Sequence, residues 1–179
     1  MTEVFISVDI ESAGPIPGKY SMLALGACEV GQTDQQFYIE IRPINELFVP
    51  EAMNVVGRRL SDFEQTGVGS VEAMVKFSDW IEKVSSHRTP VFVGFNATFD
   101  WSFVNWYFQT YLNTNPFGFG GIDIKSYYMG LTGCSWEDSR SSKIPAKYKG
   151  ASPHTHNALD DAIEQGEMFR RMITKASKA

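Results

Sequence analysis

Residues 4–15, VFISVDIESAGP, restrict the fold more than any other segment, because an apolar strand ends there in two acids. The first half of the segment has the composition of a strand inside a protein. Asp9 and Glu11 are two residues apart, so their side chains share one face of that strand. Gly14 and Pro15 then end it. Unpaired buried charge is costly and neighbouring carboxylates repel each other, so these two acids need a compensating partner.

The rest of the chain predicts three strands, a helix, a fourth strand and further helices. Apolar spacing places strands at 4–10, 22–30, 35–42 and 90–95, and helices at 70–84, 98–112, 124–131 and from about 157 to 173. Ser70 and Asp123 are the predicted caps of two of these helices. The gap at 31–34 favours a hairpin, and the long crossover before the fourth strand predicts a parallel pairing. This order predicts an α/β sandwich with a mixed sheet.

Length and composition favour one packed, cytoplasmic domain. The 179 residues, 43% apolar and 13% aromatic, fit a single domain over residues 1–179. No apolar run approaches the roughly 20 residues of a membrane span, so no membrane contact is expected. The start lacks the pattern of a signal peptide, and two cysteines are too few for a disulfide framework.

Charge gives a weaker constraint on partners. The net charge of −5 argues against a broad cationic surface for nucleic acid, since phosphate affinity comes mostly from lysine and arginine. Residues 140–149, RSSKIPAKYK, nevertheless hold four basic residues and no acid. This segment is either a solvated loop or a phosphate contact.

Further acids fall where predicted helices follow strands. Asp100 lies in the first turn of the helix at 98–112, and Asp160 and Asp161 lie in the first turn of the last helix. Such helix starts lie at the carboxyl ends of strands, where Asp9 and Glu11 also emerge and where α/β sheets bind ligands. Each acid alone could simply complement a helix dipole. Together they favour a divalent cation such as Mg²⁺ or Mn²⁺, which prefers oxygen ligands.

A histidine completes this set of chemical groups. His156 stands five residues before Asp161, in the loop that leads into the last helix. A histidine beside an anionic metal site can take a proton from an attacking water near neutral pH. His154 has no acid at the same spacing and is interpreted as an ordinary loop residue.

Three short motifs now resemble one family. They are Asp-Ile-Glu at 9–11, Asn-Ala-Thr-Phe-Asp at 96–100, and the histidine five residues before Asp161. In this order they resemble the DEDDh subclass of DnaQ-like 3′–5′ exonucleases, which includes the proofreading subunit of bacterial DNA polymerase III, RNase T and oligoribonuclease. The resemblance implies a ribonuclease H-like fold with a five-stranded mixed sheet. It also implies that the partner is a single-stranded RNA or DNA 3′ end, and it leaves a homodimer open.

The resemblance assigns a role to each matching residue. Asp9, Glu11 and Asp161 would bind one metal ion directly, Asp9 would bridge to a second, and Asp100 would support the metal-bound waters. His156 would be the general base. The implied cofactors are two divalent cations, Mg²⁺ or Mn²⁺, that activate water and stabilise the leaving oxygen. The implied activity is that of an exoribonuclease or a single-stranded DNA exonuclease that releases nucleoside 5′-monophosphates.

Substrate contacts are expected from Ser12, Ala13, Asn96 and Phe99. The family often has Thr-Thr-Gly after the glutamate, so Ser12 keeps a hydroxyl for the terminal nucleotide and Ala13 does not. Asn96 and Phe99 belong to the middle motif. Core packing is the alternative interpretation of Phe99 and also of Phe103, and Trp101 is the better candidate for a solvent-facing position beside Asp100.

Two other functions fit part of this pattern. A phosphatase of the haloacid dehalogenase type expects Asp-x-Asp-x-Thr, which Glu11 and Ala13 break. A catalytically inactive exonuclease-like module that binds nucleic acid would lose a ligand or the histidine, whereas all five positions are present here. Asp160 competes with Asp161 as a ligand, but only Asp161 has the family spacing from His156.

Overall fold

The structure, a computed structural model, describes residues 2–150 and 156–176, with the backbone alone at 175 and 176. Its strands are β1 (Glu3–Ser12), β2 (Met22–Glu29), β3 (Gln32–Glu40), β4 (Thr89–Gly94) and β5 (Gly121–Asp123). Its α-helices are α1 (Pro50–Val56), α2 (Leu60–Thr66), α3 (Ser70–Ser85), α4 (Thr98–Leu112), α5 (Ile124–Thr132) and α6 (Ala158–Ala176). None of the helices within these ranges has the length and apolar character to cross a membrane.

The five strands form one mixed sheet in the order β3-β2-β1-β4-β5. β1 pairs with β2, and β2 with β3, in antiparallel fashion, whereas β4 is parallel to both β1 and β5. The predicted hairpin and parallel pairing are therefore confirmed, as is the α/β fold class. The hairpin turn is tighter than predicted, because β3 already begins at Gln32, directly after Gly31 in a left-handed conformation (φ 88°).

Helices cover both faces of the central strand β1. Its even-numbered residues pack in a core with α3 and α4. Its odd-numbered residues lie on the face covered by α5 and α6, where Phe5 packs edge-on against Phe169. Gly166 of α6 lies so close to this face that a methyl group there would be 3.0 Å from the Ser7 Cβ. Asp9 and Glu11 are odd-numbered, so β1 presents them to the α6 side of the sheet.

Two caps and the ends of α4 test the helix predictions. Asp123 caps α5 as predicted, because its Oδ1 accepts the Ser126 N–H at 2.7 Å. The prediction that Ser70 caps α3 was wrong by one residue: Gly69 occupies the cap and Ser70 is the first helical residue. The predicted helix at 98–112 has the same ends as α4.

Candidate active site

A crevice opens where β1 and β4 separate. Their pairing runs as far as Ser7 and Val93. Beyond that point the Gln165 side chain of α6 lies between the two strands. It donates to the Val8 carbonyl at 2.9 Å and accepts the Phe95 N–H at 2.6 Å. Gln165 thus replaces a direct link between the strands and ties α6 to both of them at the edge where α/β sheets bind ligands.

Three acids meet at this edge. Asp9 and Glu11 come from β1 and Asp161 from the first turn of α6, and one carboxylate oxygen from each lies within 4.8 Å of the other two. The start of α6 is well formed, because the Asn157 Oδ1 accepts the Leu159 N–H at 3.0 Å. Side-chain capping of this kind fixes where the first turn begins. The first turn in turn fixes the position of Asp161 opposite β1.

Gly26 allows α6 to approach the sheet so closely. It lies on β2 directly opposite Asp9 in the strand register. A methyl group on Gly26 would be 2.2 Å from the carbonyl carbon of Ala158, the first residue of α6. Sequence reasoning missed this residue, although a glycine inside an apolar strand is a recognised signal of close backbone approach.

Replacing Gly26 by alanine should therefore push the start of α6 away from β2 and carry Asp161 with it. We expect a destabilisation of about 1–3 kcal/mol, the usual cost of overpacking, and a loss of metal affinity. Thermal unfolding and Mn²⁺ calorimetry measure the two effects. Gly130→Ala is the matched control, since no atom lies within 4 Å of a methyl group there. Wild-type Mn²⁺ affinity in Gly26→Ala would contradict this role.

Asp100 approaches the same edge from α4, which covers the other face of the sheet. It is 5% exposed, and its Oδ1 accepts the Ile10 N–H at 3.1 Å. This bond holds the Asp100 carboxylate against β1 at Ile10, the residue that separates Asp9 from Glu11. Asp100 does not belong to the close cluster of three acids, and one of its oxygens is already engaged by the backbone.

Most of the predicted site residues share one cavity of about 420 Å³. The eight that line it are Asp9, Glu11, Ser12, Asn96, Phe99, Asp100, His156 and Asp161. His156 is exposed and has a left-handed backbone (φ 55°), as does Asn96 (φ 57°) at the start of α4. Residues of α1, among them Val55 and Val56, also line the cavity. Sequence reasoning did not predict this apolar wall.

Two aromatic residues in the first turn of α4, Phe99 and Trp101, differ in their surroundings. Phe99 is 39% exposed and lines the cavity. Trp101, which was expected to face solvent, is only partly exposed and packs edge-on against Phe92 at the border of the core.

Ala13 is placed away from the cavity. Its side chain is fully buried, its N–H donates to the Ser21 carbonyl, and its carbonyl accepts the Val49 N–H, both at 2.8 Å. The side chain of Ala13 is in the core and both of its backbone groups are hydrogen-bonded within the protein. The expectation that Ala13 contacts substrate was therefore wrong, and we assign it a structural role. His154 lies outside the described residues.

The electrostatics of the site favour a cation. Burial, followed by the charges of Asp100, Glu11 and Asp161, raises the pKa of Asp9 well above its ordinary range. Burial and then the charges of Asp161 and Asp100 raise the pKa of Glu11 to about 8. Burial also raises the pKa of Asp100 to about 7, although the hydrogen bond from Ile10 lowers it. Asp9 and Glu11 hold protons more tightly than usual because they are buried and because the neighbouring carboxylates repel a further negative charge, and burial does the same for Asp100.

These pKa shifts predict how the metal-free protein responds to pH. Between 4.5, its ordinary pKa, and about 8, Glu11 binds more protons in the folded than in the unfolded state. Stability therefore falls as the pH rises through this range. Divalent metal needs the deprotonated carboxylates, so its affinity should rise over the same range. We expect Mn²⁺ to raise the melting temperature more at pH 8 than at pH 6; an equal shift at both values would count against the cluster as the metal site.

Similarity to known proteins agrees with this geometry. No family model matches the chain. The 3′–5′ DNA exonuclease Cap18 of Escherichia coli is 49% identical over 177 residues, which cover 98% of this chain and 94% of that protein. The nuclease domain of 3′hExo, a DEDDh family member bound to rAMP, has a TM-score of 0.73 at 16% identity, covering 96% of this chain and 92% of that one.

A second solved structure has the same fold in a longer protein. E. coli Exonuclease I in complex with an oligonucleotide has a TM-score of 0.72 at 14% identity. The match covers 99% of this chain and 42% of the Exonuclease I chain. At such identities the structures establish the ribonuclease H-like fold, and the extended identity to Cap18 establishes the family. The chain therefore belongs to the DEDDh family of 3′–5′ exonucleases, which are enzymes that use divalent metal ions.

Proposed function

We propose that this enzyme shortens single-stranded DNA from its 3′ end and releases nucleoside 5′-monophosphates one at a time. The observation that carries this proposal is the shared cavity in which three clustered carboxylates, Asp9, Glu11 and Asp161, lie together with His156. A catalytically inactive binding module would have no need for this constellation.

The acid cluster fits a divalent cation. Its donors are carboxylate oxygens, which suit Mg²⁺ and Mn²⁺. Burial and then mutual repulsion raise the pKa of Asp9 and of Glu11, and a bound cation would relieve that repulsion. Asp9, Glu11 and Asp161 would hold the metal. Two such ions, when bound, would lower the pKa of a water molecule and neutralise charge on the phosphate and the leaving oxygen. The Ile10 N–H keeps the Asp100 carboxylate oriented towards the same site.

His156 is proposed to act as the general base. It lies at the rim of the cavity just before α6, within the same lining as Asp9 and Asp161. In hydrolysis a water oxygen forms a bond to phosphorus, and the bond from phosphorus to the O3′ of the upstream nucleotide breaks. His156 takes a proton from that water and returns it to solvent, while the released O3′ gains a proton. The products are a nucleoside 5′-monophosphate and a strand with a new 3′-hydroxyl.

The cavity walls are proposed to hold the terminal nucleotide. Phe99 offers a partly exposed ring on which a single base can stack, and Val55 of α1 gives a second apolar surface. The Ser12 hydroxyl donates to the Gly14 carbonyl at 3.0 Å and keeps lone pairs that can accept a bond from a 3′-hydroxyl. Asn96 supplies a further polar group to the same cavity lining.

DNA is proposed as the substrate because the relative that is 49% identical along nearly the whole chain is a DNA exonuclease. The fold alone does not distinguish RNA from DNA as the substrate, since one structural relative was solved with rAMP and another with a 5cy-dT13 oligonucleotide. Matched single-stranded DNA and RNA oligonucleotides under one metal condition test this choice. Faster trimming of the RNA would reverse the assignment of the substrate while keeping that of the reaction.

A 5′-labelled DNA strand should shorten as a ladder when Mg²⁺ or Mn²⁺ is present. The same strand with a 3′-phosphate should resist, because the dianion would meet the Glu11 carboxylate in the cavity. EDTA provides the matched control without metal. Cleavage of a circular strand, early release of the 5′ label as a mononucleotide, or binding without any shortening would each rule out the proposed activity.

A further inference from the structure

A second cavity adjoins the acid cluster. It has a volume of about 490 Å³, and Asp9, Phe95, Asn96 and Asp161 line both this cavity and the one assigned to the terminal nucleotide. The two cavities therefore flank the same acids. If the terminal nucleotide occupies the first cavity, the rest of the DNA strand must extend away from the acids through a different part of the surface. The second cavity is beside the acids and offers that space.

Hydrogen-bond donors form one side of this second cavity. They are contributed by α5 and by the segment that follows it: Lys125, Arg140, Ser141 and Ser142. We call these four residues the donor wall. Arg140 is exposed and pairs with Glu137 at 2.7 Å, so its guanidinium can exchange that partner for another anion. The hydroxyls of Ser141 and Ser142 make no hydrogen bond to any residue in the described ranges.

Lys125 is the informative member of the donor wall. The residue is only 7% exposed, yet no carboxylate of the described residues lies within 4.0 Å of its ammonium group. The ammonium group instead contacts the face of Trp136, whose ring centroid is 3.4 Å away. A cation–π contact offsets only part of the cost of burying an ammonium group. Asp9, Asp161 and Glu164 also line this cavity, so it is the donor wall, with its buried lysine that has no acid within 4.0 Å among the described residues, that is suited to an anion.

We infer that the donor wall binds the phosphodiester on the 5′ side of the bond that is cleaved, with Lys125 as its main contact. This inference rests on the proposed exonuclease function. A phosphodiester fits because it carries a single negative charge and two acceptor oxygens, which match one ammonium group, one guanidinium group and two hydroxyls. The neighbouring nucleotide would then be held by its backbone, which carries no base sequence.

The test compares two dinucleotides, one with a 5′-hydroxyl and one with a 5′-phosphate that stands in for the next phosphodiester of a longer strand. Wild-type enzyme should prefer the phosphorylated form in kcat/KM by roughly ten-fold or more, the scale of a charge-assisted hydrogen bond. In Lys125→Met, which keeps an apolar side chain of similar length, this preference should fall close to one. Lys143→Met is the matched control, because Lys143 belongs to the same segment but pairs with Asp138 at 3.0 Å outside the donor wall.

A second measurement covers longer strands. The slope of log kcat/KM against log salt concentration should become shallower by about 0.7 in Lys125→Met, as expected for one lost contact to a single-stranded phosphate. An unchanged phosphate preference together with an unchanged salt slope would overturn the inference, as would an equal loss on both dinucleotides. If instead the wild-type enzyme shortens no 5′-labelled strand at all, the proposed function itself fails. These outcomes are therefore distinguishable.

Discussion

Replacing Asp9 by asparagine should abolish DNA trimming while leaving the protein folded. The substitution removes a carboxylate that lies within 4.8 Å of two others, so the site loses metal affinity. Because burial and neighbouring charge raise the pKa of Asp9, its removal should also make the metal-free protein more stable near neutral pH. We expect turnover below about a tenth of wild type, the loss of a metal-binding heat, and a higher melting temperature in EDTA.

Two further variants make this result specific. Asp161→Asn should behave like Asp9→Asn, because Asp161 belongs to the same cluster. Asp160→Asn should keep wild-type turnover, since Asp160 is an exposed neighbour on the same helical turn that the cluster does not include. Substantial activity in either cluster variant, or its disappearance in Asp160→Asn, would refute the assignment of the metal ligands.

His156→Ala should slow the chemical step by roughly 10²-fold or more, the usual contribution of a general base. Metal affinity should persist, because His156 lines the cavity but is not one of the three clustered acids. Single-turnover trimming of labelled DNA measures the rate, and Mn²⁺ calorimetry measures the affinity. His87→Ala is the control, because this exposed histidine follows the cap of α3, outside the cavity lining. Parallel losses of rate and metal affinity would move His156 into the metal coordination sphere.

The strands and acids that build the site were predictable because their signals are local. An apolar strand that ends in Asp9 and Glu11, and acids in the first turns of helices after strands, follow from residue order and the two structural periods. Their meeting followed from topology, since parallel strands bring their carboxyl ends to one edge. The structure adds the distances, and it separates Asp100 from the three-acid cluster.

Short elements carried too little pattern to be predicted. α1 and α2 span seven residues each, which is too short to show a repeated helical period of apolar side chains. α1 buries no residue and α2 buries one, Phe63. The available signals for α1 were a proline at its start, Pro50, and a glycine directly after its end, Gly57. β5 has three residues, Gly121–Asp123, and its first is a glycine, so composition gave no strand signal.

The direction in which a side chain points could not be predicted from spacing where a helix is apolar on all sides. α4 carries aromatic residues around its circumference, so spacing could not decide whether Phe99 or Trp101 faces the cavity. The contact of Trp101 with Phe92 on β4 decides it. Lys125 could not be predicted either, because a lysine near a helix start is ordinarily exposed and only the packing of α5 buries it.

Gln165 and Asp161 lie one turn apart on α6, so the bridge between β1 and β4 and a proposed metal ligand depend on the same helix. Proteins open locally, and the free energy of such an opening can be well below that of complete unfolding. A transient release of α6 would withdraw Asp161 from the acids and free the Phe95 N–H in the same event. With Asp161 as a proposed ligand, we expect the metal-binding form to last only as long as α6 stays docked, and amide hydrogen exchange at Phe95 should report the fraction of molecules that can hold metal.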